Sequence, residues 1–211
     1  MKKLFALLLL PSLAFAGKIG GNYVGVSLGD FKWENTNTTQ NIDMSGLAFE
    51  LKANYSIYQN KGYGVDIYAE FLSANGLDGT PALVEVDFSK FDALVRPYYK
   101  IQEIVIFANL GVSSLSSDVG GIELIDKSAF IPGVGLELSV DKLTFSPYVD
   151  FVDYGDPASG IFWILPLHYQ INSNIGASFK FLGSGLDDYV SSGVTQENDV
   201  TSWSLGLDYK F

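Results

Sequence analysis

A chain of 211 residues with one histidine and no cysteine has a short menu of chemistry. His168 is the one imidazole able to act as a general base near neutral pH, and Tyr169 and Gln170 follow it. Gln170 cannot serve as a nucleophile, and Ser173 falls in a turn, so the local spacing lacks a nucleophile within hydrogen-bond reach of the base. Asp153 and Asp156 are the acids that an aspartate-based hydrolytic site would need near a rim, and they stand scattered. Without cysteine there are no disulfides, thiolate metal ligands or thiol nucleophiles, and a single histidine excludes multi-histidine metal sites. Asp118, Glu123, Asp126, Asp187, Asp188, Glu197 and Asp199 could meet divalent cations, but they lack the regular oxygen-ligand spacing of a calcium loop and read as a solvated face. The expectation is no metal site, no cofactor and no catalysis.

The charge balance narrows the partners. Lys+Arg number 13 against Asp+Glu 24, a formal net charge of -11, which excludes nucleic-acid binding by phosphate neutralisation. Mean hydropathy is nonetheless positive and aromatics make up 14% of the chain, so the segregation of charge from apolar surface has to be explained by the elements.

The elements that must position these residues alternate with period two. Ten such segments follow one another, from Tyr23–Gly29 through Leu47–Ile57, Gly64–Phe71, Asp92–Lys100, Ile106–Val112, Pro132–Val140, Phe145–Phe151, Leu165–Ile171 and Ile175–Phe181 to Trp203–Phe211. Connections alternate between short turns, such as Asp141-Lys142, and long polar stretches: Glu34–Ile42, Ser73–Ala82, Ser114–Lys127, Asp153–Gly160 and Gly183–Asp199. This predicts an all-β fold, an up-and-down antiparallel barrel of ten strands with eight as the alternative, in one domain. Pro97, Pro132, Pro147 and Pro166 each remove a ladder donor and cut against the strand map.

Period two alone does not say which face is wet. Twelve strand charges (Glu50, Lys52, Asp66, Glu70, Asp92, Arg96, Lys100, Glu137, Asp150, Lys180, Asp208 and Lys210) lie opposite the apolar set. Glycines crowd the same polar face, which suits a tight lumen better than a solvated exterior. Aromatics gather by the short turns (Tyr55, Tyr58, Tyr63, Tyr99, Tyr169, Tyr209, Phe211) and by the long connections (Phe31, Trp33, Tyr154, Trp163, Trp203), as membrane interfaces favour. The barrel is therefore expected to be transmembrane, with apolar residues against lipid and the charges paired inside.

The termini agree. Lys2 and Lys3, the apolar Leu4–Leu10 and the small-x-small triplet Ala14-Phe15-Ala16 form a secretory leader cleaved after Ala16, giving residues 1–16 as signal peptide and 17–211 as the barrel domain. The apolar run is short of the ~20 residues a helix needs to span hydrocarbon. Ser204, Gly206, Tyr209 and Phe211 match the terminal assembly signal of bacterial outer-membrane barrels, which resembles this last strand position by position. The mature chain resembles the small opacity-protein and OmpA-type barrels, with Ala129–Glu137 and Ala93–Tyr99 similar to their strands. The resemblance implies an outer-membrane location, short turns in the periplasm, long loops outside, and as partners membrane lipid, lipopolysaccharide and, during biogenesis, the barrel-assembly machinery. The barrel lipid A deacylases carry a catalytic histidine with serine two residues on, and Gln170 occupies that place here.

Three functions follow: a non-enzymatic barrel with an envelope-structural, surface-interaction or narrow porin-like role, a barrel enzyme acting on envelope lipid, and a soluble secreted barrel for an apolar ligand. The first fits the residues best. No motif in the long connections names a surface ligand.

Overall fold

The computed structural model describes residues 18–37, 41–80, 86–119, 122–155, 159–186, 189–191 and 194–211. Twelve strand segments form the wall: β1 (Tyr23–Asn37), β2 (Asn41–Asn60), β3 (Tyr63–Thr80), β4 (Val86–Ile101), β5 (Ile104–Val119), β6 (Ile122–Val140), β7 (Leu143–Phe145), β8 (Tyr148–Asp153), β9 (Ser159–Gln170), β10 (Ile175–Leu186), β11 (Tyr189–Ser191) and β12 (Val194–Lys210). Segments β7 and β8 are two halves of one stave, and β11 is a short ladder on β12, so ten staves build the barrel. Each stave pairs antiparallel with the next, and β1 closes on β12 from Tyr23 opposite Lys210 to Asn37 opposite Gln196. Closure leaves no sheet edge at membrane depth, the condition for a sheet to stand in hydrocarbon.

The alternation sorts faces as the period requires. Val24, Val26 and Leu28 look outward on β1 while Tyr23, Gly25, Ser27 and Gly29 face in, and the same rule runs round the wall. The outer face carries Leu51, Ile67, Val95, Val134, Leu205 and Leu207, each at least 40% exposed, and the polar groups lie inside. An aqueous exterior would reverse this arrangement, so the geometry is that of a transmembrane barrel.

Most staves exceed the roughly 9–11 residues that cross a bilayer. Stretches expected as loops continue as ladder: Ser73–Ala82 belongs largely to β3, and Ser114–Lys127 mostly to β5 and β6. Once a hairpin has closed its lower pairs, each further residue adds ladder bonds without a new closure cost, and beyond the membrane neither face needs to be apolar. The hydrophobic alternation fades there for that reason, and the strand persists.

The prolines sit where pairing lapses. Pro147 separates β7 from β8, and the β4–β5 register skips from Val95 opposite Leu110 to Tyr98 opposite Phe107 around Pro97. Beyond Gly133, whose neighbour Pro132 has no N–H, the described part of β6 pairs with β5 alone. Two short turns use non-glycine residues at positive φ, Gln102 at 56 and Asp141 at 53, as two-residue hairpins of the right twist demand.

Candidate functional site

Among the described residues, the strands bring chemistry-bearing side chains together in the lumen. Eleven of the twelve strand charges named above are buried inside it. Lys100 is not: it is exposed at the short-turn end, in the last ladder pairs before the Ile101–Ile104 turn, where a long side chain reaches water. Lys90, absent from that set, is buried and belongs to it. Its place was readable as two residues before Asp92, one strand period away, had β4 been extended toward its irregular start.

Three clusters stack along the interior. In the first, Lys52 reaches Asp208 Oδ1 at 3.0 Å and donates to Ser178 Oγ at 3.1 Å, while His168 Nδ1–H donates to Asp208 Oδ2 at 2.9 Å. The site exists because Gly25 lies beneath it: a Cβ there would stand 2.2 Å from Asp208 Oδ1 and 2.5 Å from Lys52 Cε. The second sets Lys180 between Glu50 and Glu70, at 2.7 Å from Glu70 Oε1, with Tyr68 donating to Glu70. Lys90 pairs Asp92, which also accepts from Ser113, itself the acceptor for the Tyr154 hydroxyl.

The third cluster surrounds Arg96. Its Nε–H donates to Asn109 Oδ1 at 2.8 Å, Asn109 Nδ2 donates to Asp150 Oδ1 at 2.7 Å, and the guanidinium lies 3.5 Å from the Tyr68 ring centre and 5.2 Å from that of Tyr148. Desolvated this far, a cation gains from ring faces as well as from carboxylates. Gly133 makes room, since a Cβ would meet Asp150 Oδ1 at 1.9 Å.

Toward the long-strand end the lumen turns apolar. Phe31 and Phe88 meet as a tilted ring pair with centroids 4.5 Å apart, and Leu72, Leu77, Val86, Leu115, Ile131, Val152, Phe162, Ile164, Leu182 and Val200 pack with them. The aromatic belt at this end is accordingly different from expectation. Phe31 and Tyr154 are buried inside and Trp33 packs on the inner cluster, because strand parity turns them inward. Trp163 and Trp203 do face out, with Phe181 stacked on Trp163 at 5.1 Å. At the other end Tyr55, Tyr58, Tyr63, Tyr99, Tyr169 and Tyr209 are all exposed, with Phe211 half-buried.

The short-turn mouth is filled by the segment before β1, for which the sequence carried no signal. Ile19 N–H donates to Glu137 Oε2 at 2.8 Å and Gly20 N–H to Asp66 Oδ2 at 2.7 Å; Asn54 Nδ2 donates to the Gly21 carbonyl at 2.7 Å and to Asp66. Ser56 N–H donates to Asn22 Oδ1 at 2.8 Å, and Phe211 N–H to the Asn22 carbonyl. A cavity of about 30 Å³ remains among Tyr23, Arg96, Glu137, Tyr148, His168 and Lys180, room for about one water. A second concavity, about 620 Å³, lies on the outer belt among Val24, Leu51, Ala53, Ala69, Phe71 and Leu207, the lipid side.

Chemically, the lumen can pair charges and fix their geometry. His168, Asp208 and Ser178 lie close, and His168 and Ser178 are each 5% exposed. Of the assembly-signal positions, Ser204 faces inward, Gly206 is half-buried against Ser27, Tyr209 faces outward and Phe211 ends the closing stave. Ala14 and Ala16 lie outside the described residues, as do Asp156, Asp187 and Asp188. Among the described residues no group of three or more acidic or histidine side chains could hold a metal ion.

No protein-family profile and no curated protein sequence matches the chain. Solved structures do. The outer membrane protease OmpT from Escherichia coli superposes with a TM-score of 0.54 at 10% identity, covering 95% of this chain and 99% of that one. Ail, the attachment invasion locus protein of Yersinia pestis, aligns at 17% identity over 90% and 99% of the two chains, with a TM-score of 0.41. The translocator domain of the autotransporter NalP from Neisseria meningitidis gives 0.48 at 10% identity over 100% and 92%. With the closed ten-stave wall, its apolar exterior and its charged lumen, the chain has the fold of the bacterial outer-membrane β-barrels.

Proposed function

We propose that this protein is a sealed, non-catalytic outer-membrane barrel of the opacity and OmpA type, serving envelope structure and surface interaction rather than permeation. The observation that carries the reading is the filled interior: an N-terminal segment at one mouth, ion-paired clusters across the middle, and an apolar plug of Phe31, Phe88, Phe162 and their neighbours at the other end. A hydrated ion crossing it would have to displace both paired charges and packed aromatics. The narrow porin-like role is the variant this packing disfavours.

In this reading the leader is removed after Ala16, Ser204, Gly206, Tyr209 and Phe211 are presented to the barrel-assembly machinery, and the Tyr-rich turn end faces the periplasm. The extended β1–β6 wall then stands above the membrane among lipopolysaccharide, where a surface partner would meet it. Purified protein in planar bilayers is expected to give no conductance steps, while heat-modifiable migration appears in the outer-membrane fraction. Reproducible open channels would overturn the seal, and recovery from the soluble periplasm would overturn the location. Lipid A profiles are expected to be identical with and without His168→Ala; a changed profile would make the enzyme reading the correct one.

A further inference from the structure

Asn60 ends β2 and Tyr63 begins β3, with the Lys61–Gly62 turn between them. Asn60 Nδ2 donates to the Tyr58 hydroxyl at 3.2 Å and to the Tyr63 hydroxyl at 3.1 Å, and the two hydroxyls share one hydrogen bond at 3.4 Å. Asn60 is itself held, its Oδ1 accepting from the Lys61 N–H at 2.6 Å. One bond between two phenols uses one of their protons, so the other O–H has no acceptor among the described residues. A donor at the end of such a chain is polarised by the bonds behind it. Lys61 lies in the turn, and Lys100 is held beside it from β4, its N–H donating to the Gly62 carbonyl at 2.6 Å. Gly62 takes φ +91, which lets the turn close that tightly. Both lysines are exposed, and neither takes part in an ion pair among the described residues. Glu103, the exposed acid of the β4–β5 turn, has Lys18 in its field.

We propose that Tyr58, Asn60 and Tyr63 with Lys61 and Lys100 form a seat for the phosphodiester of an anionic phospholipid, in the leaflet that meets the short-turn end. This rests on the membrane barrel of the proposed function and names the lipid it selects. The depth fits: Tyr58, Tyr63 and Tyr99 expose about half of their surface at this corner, and amphipathic rings settle where hydrocarbon gives way to headgroups. An oxyanion at that depth is a lipid phosphate, and an O–H donor beside two ammonium groups gives it charge-assisted bonds. A zwitterionic headgroup brings its own ammonium, which the lysines repel, whereas a net negative headgroup does not. The long-strand rim is different in kind, with Lys32 tied to Glu34 and with Asp43, Asp87, Asp153 and Asp199 exposed. The two ends therefore select different surroundings, and the seat fixes the height of the short-turn end in its leaflet.

The test uses the purified barrel in detergent micelles, offered equimolar dioleoylphosphatidylglycerol and dioleoylphosphatidylcholine and read by native mass spectrometry, with heat-modifiability as the control for folding. The lipid retained is expected to be the phosphatidylglycerol; equal retention of both would overturn the seat. Lys61→Gln and Lys100→Gln should each weaken retention about fivefold, the worth of one basic residue against an anionic headgroup. Lys142→Gln, at an exposed lysine of the β6–β7 turn, should leave it unchanged. Equal losses at all three lysines would reduce the effect to net charge and overturn the site. Tyr58→Phe with Tyr63→Phe keeps every charge and should also weaken retention; an unchanged value would overturn the role of the phenols. Excess glycerol phosphate should leave the lipid in place, and its displacement would make the ligand a soluble phosphate. All the substituted side chains are exposed, so the variants are expected to fold. A barrel that selects the lipid yet conducts ions refutes the seal of the proposed function and leaves this seat standing, whereas a sealed, heat-modifiable barrel without lipid selectivity does the reverse.

Discussion

Lys180 shows what a single side chain carries in this molecule. It is 5% exposed and stands between Glu50 and Glu70, so removing its charge strands two carboxylates in a low-dielectric interior. Lys180→Met should cost about 3–5 kcal/mol of unfolding free energy, the penalty for breaking a buried pair from one side. Adding Glu50→Leu and Glu70→Leu should recover most of it, since apolar groups of similar volume replace buried ions at little cost. Urea titration followed by heat-modifiability reads both; a triple variant no better than the single one would show that the cluster holds the staves by something other than charge compensation. Lys100→Ala, by contrast, should fall within about ±0.5 kcal/mol, as for exposed surface positions. Both lysines had the same sequence-level status, on the polar face of alternating strands. Position along the stave separates them, and alternation carries no information about height.

At the scale of elements, the turn between β8 and β9 has its own titration. Asp153 lies at the exposed end of β8, accepting from Ser159 Oγ at 2.8 Å and from the Gly155 N–H at 3.0 Å, and these bonds hold its carboxyl below the ordinary carboxylate range. A group with a lowered folded pKa contributes fully above its unfolded value and loses that contribution as pH falls through the folded one. The Gly155 amide resonance in micelles should therefore shift with a midpoint below about 3.9, and Asp153→Ala should abolish the shift; a midpoint above that value would contradict the two bonds. The staves themselves were legible where they cross the membrane, because lipid on one side and a polar lumen on the other enforce period two. Their upper reaches were not: Ser73–Ala82 and Ser114–Lys127 read as loops because polar residues on both faces erase the pattern while the ladder continues.

The molecule as a whole is a belt of apolar residues around a charged axis, and the belt makes a prediction with a built-in control. Leu205 is 59% exposed on the outer face of the closing stave. Leu205→Arg should lose ~2–4 kcal/mol in lipid vesicles, whereas Thr36→Arg, exposed near the far end of β1, should change stability by no more than about 0.5 kcal/mol. Equal costs at the two positions in a vesicle-based urea titration would argue against a lipid-facing belt. Net charge takes its meaning from this layout: strand acids and bases largely meet each other inside, so the excess of acids lies mainly at the rims.

By itself the sequence determined the strand period and which residues share a face, since alternation is a property of local backbone geometry, and it favoured ten strands with eight as the alternative. Tertiary structure alone decided the partners. Lys52 meets Asp208 across 156 positions of chain and Lys180 meets Glu50 across 130, and such pairs depend on closure, stave tilt and register, which no local pattern encodes. The same holds for the Lys18–Asn22 segment, too short and too irregular to announce itself. Its place in the mouth arises only when two carboxylates from distant staves are brought to face it.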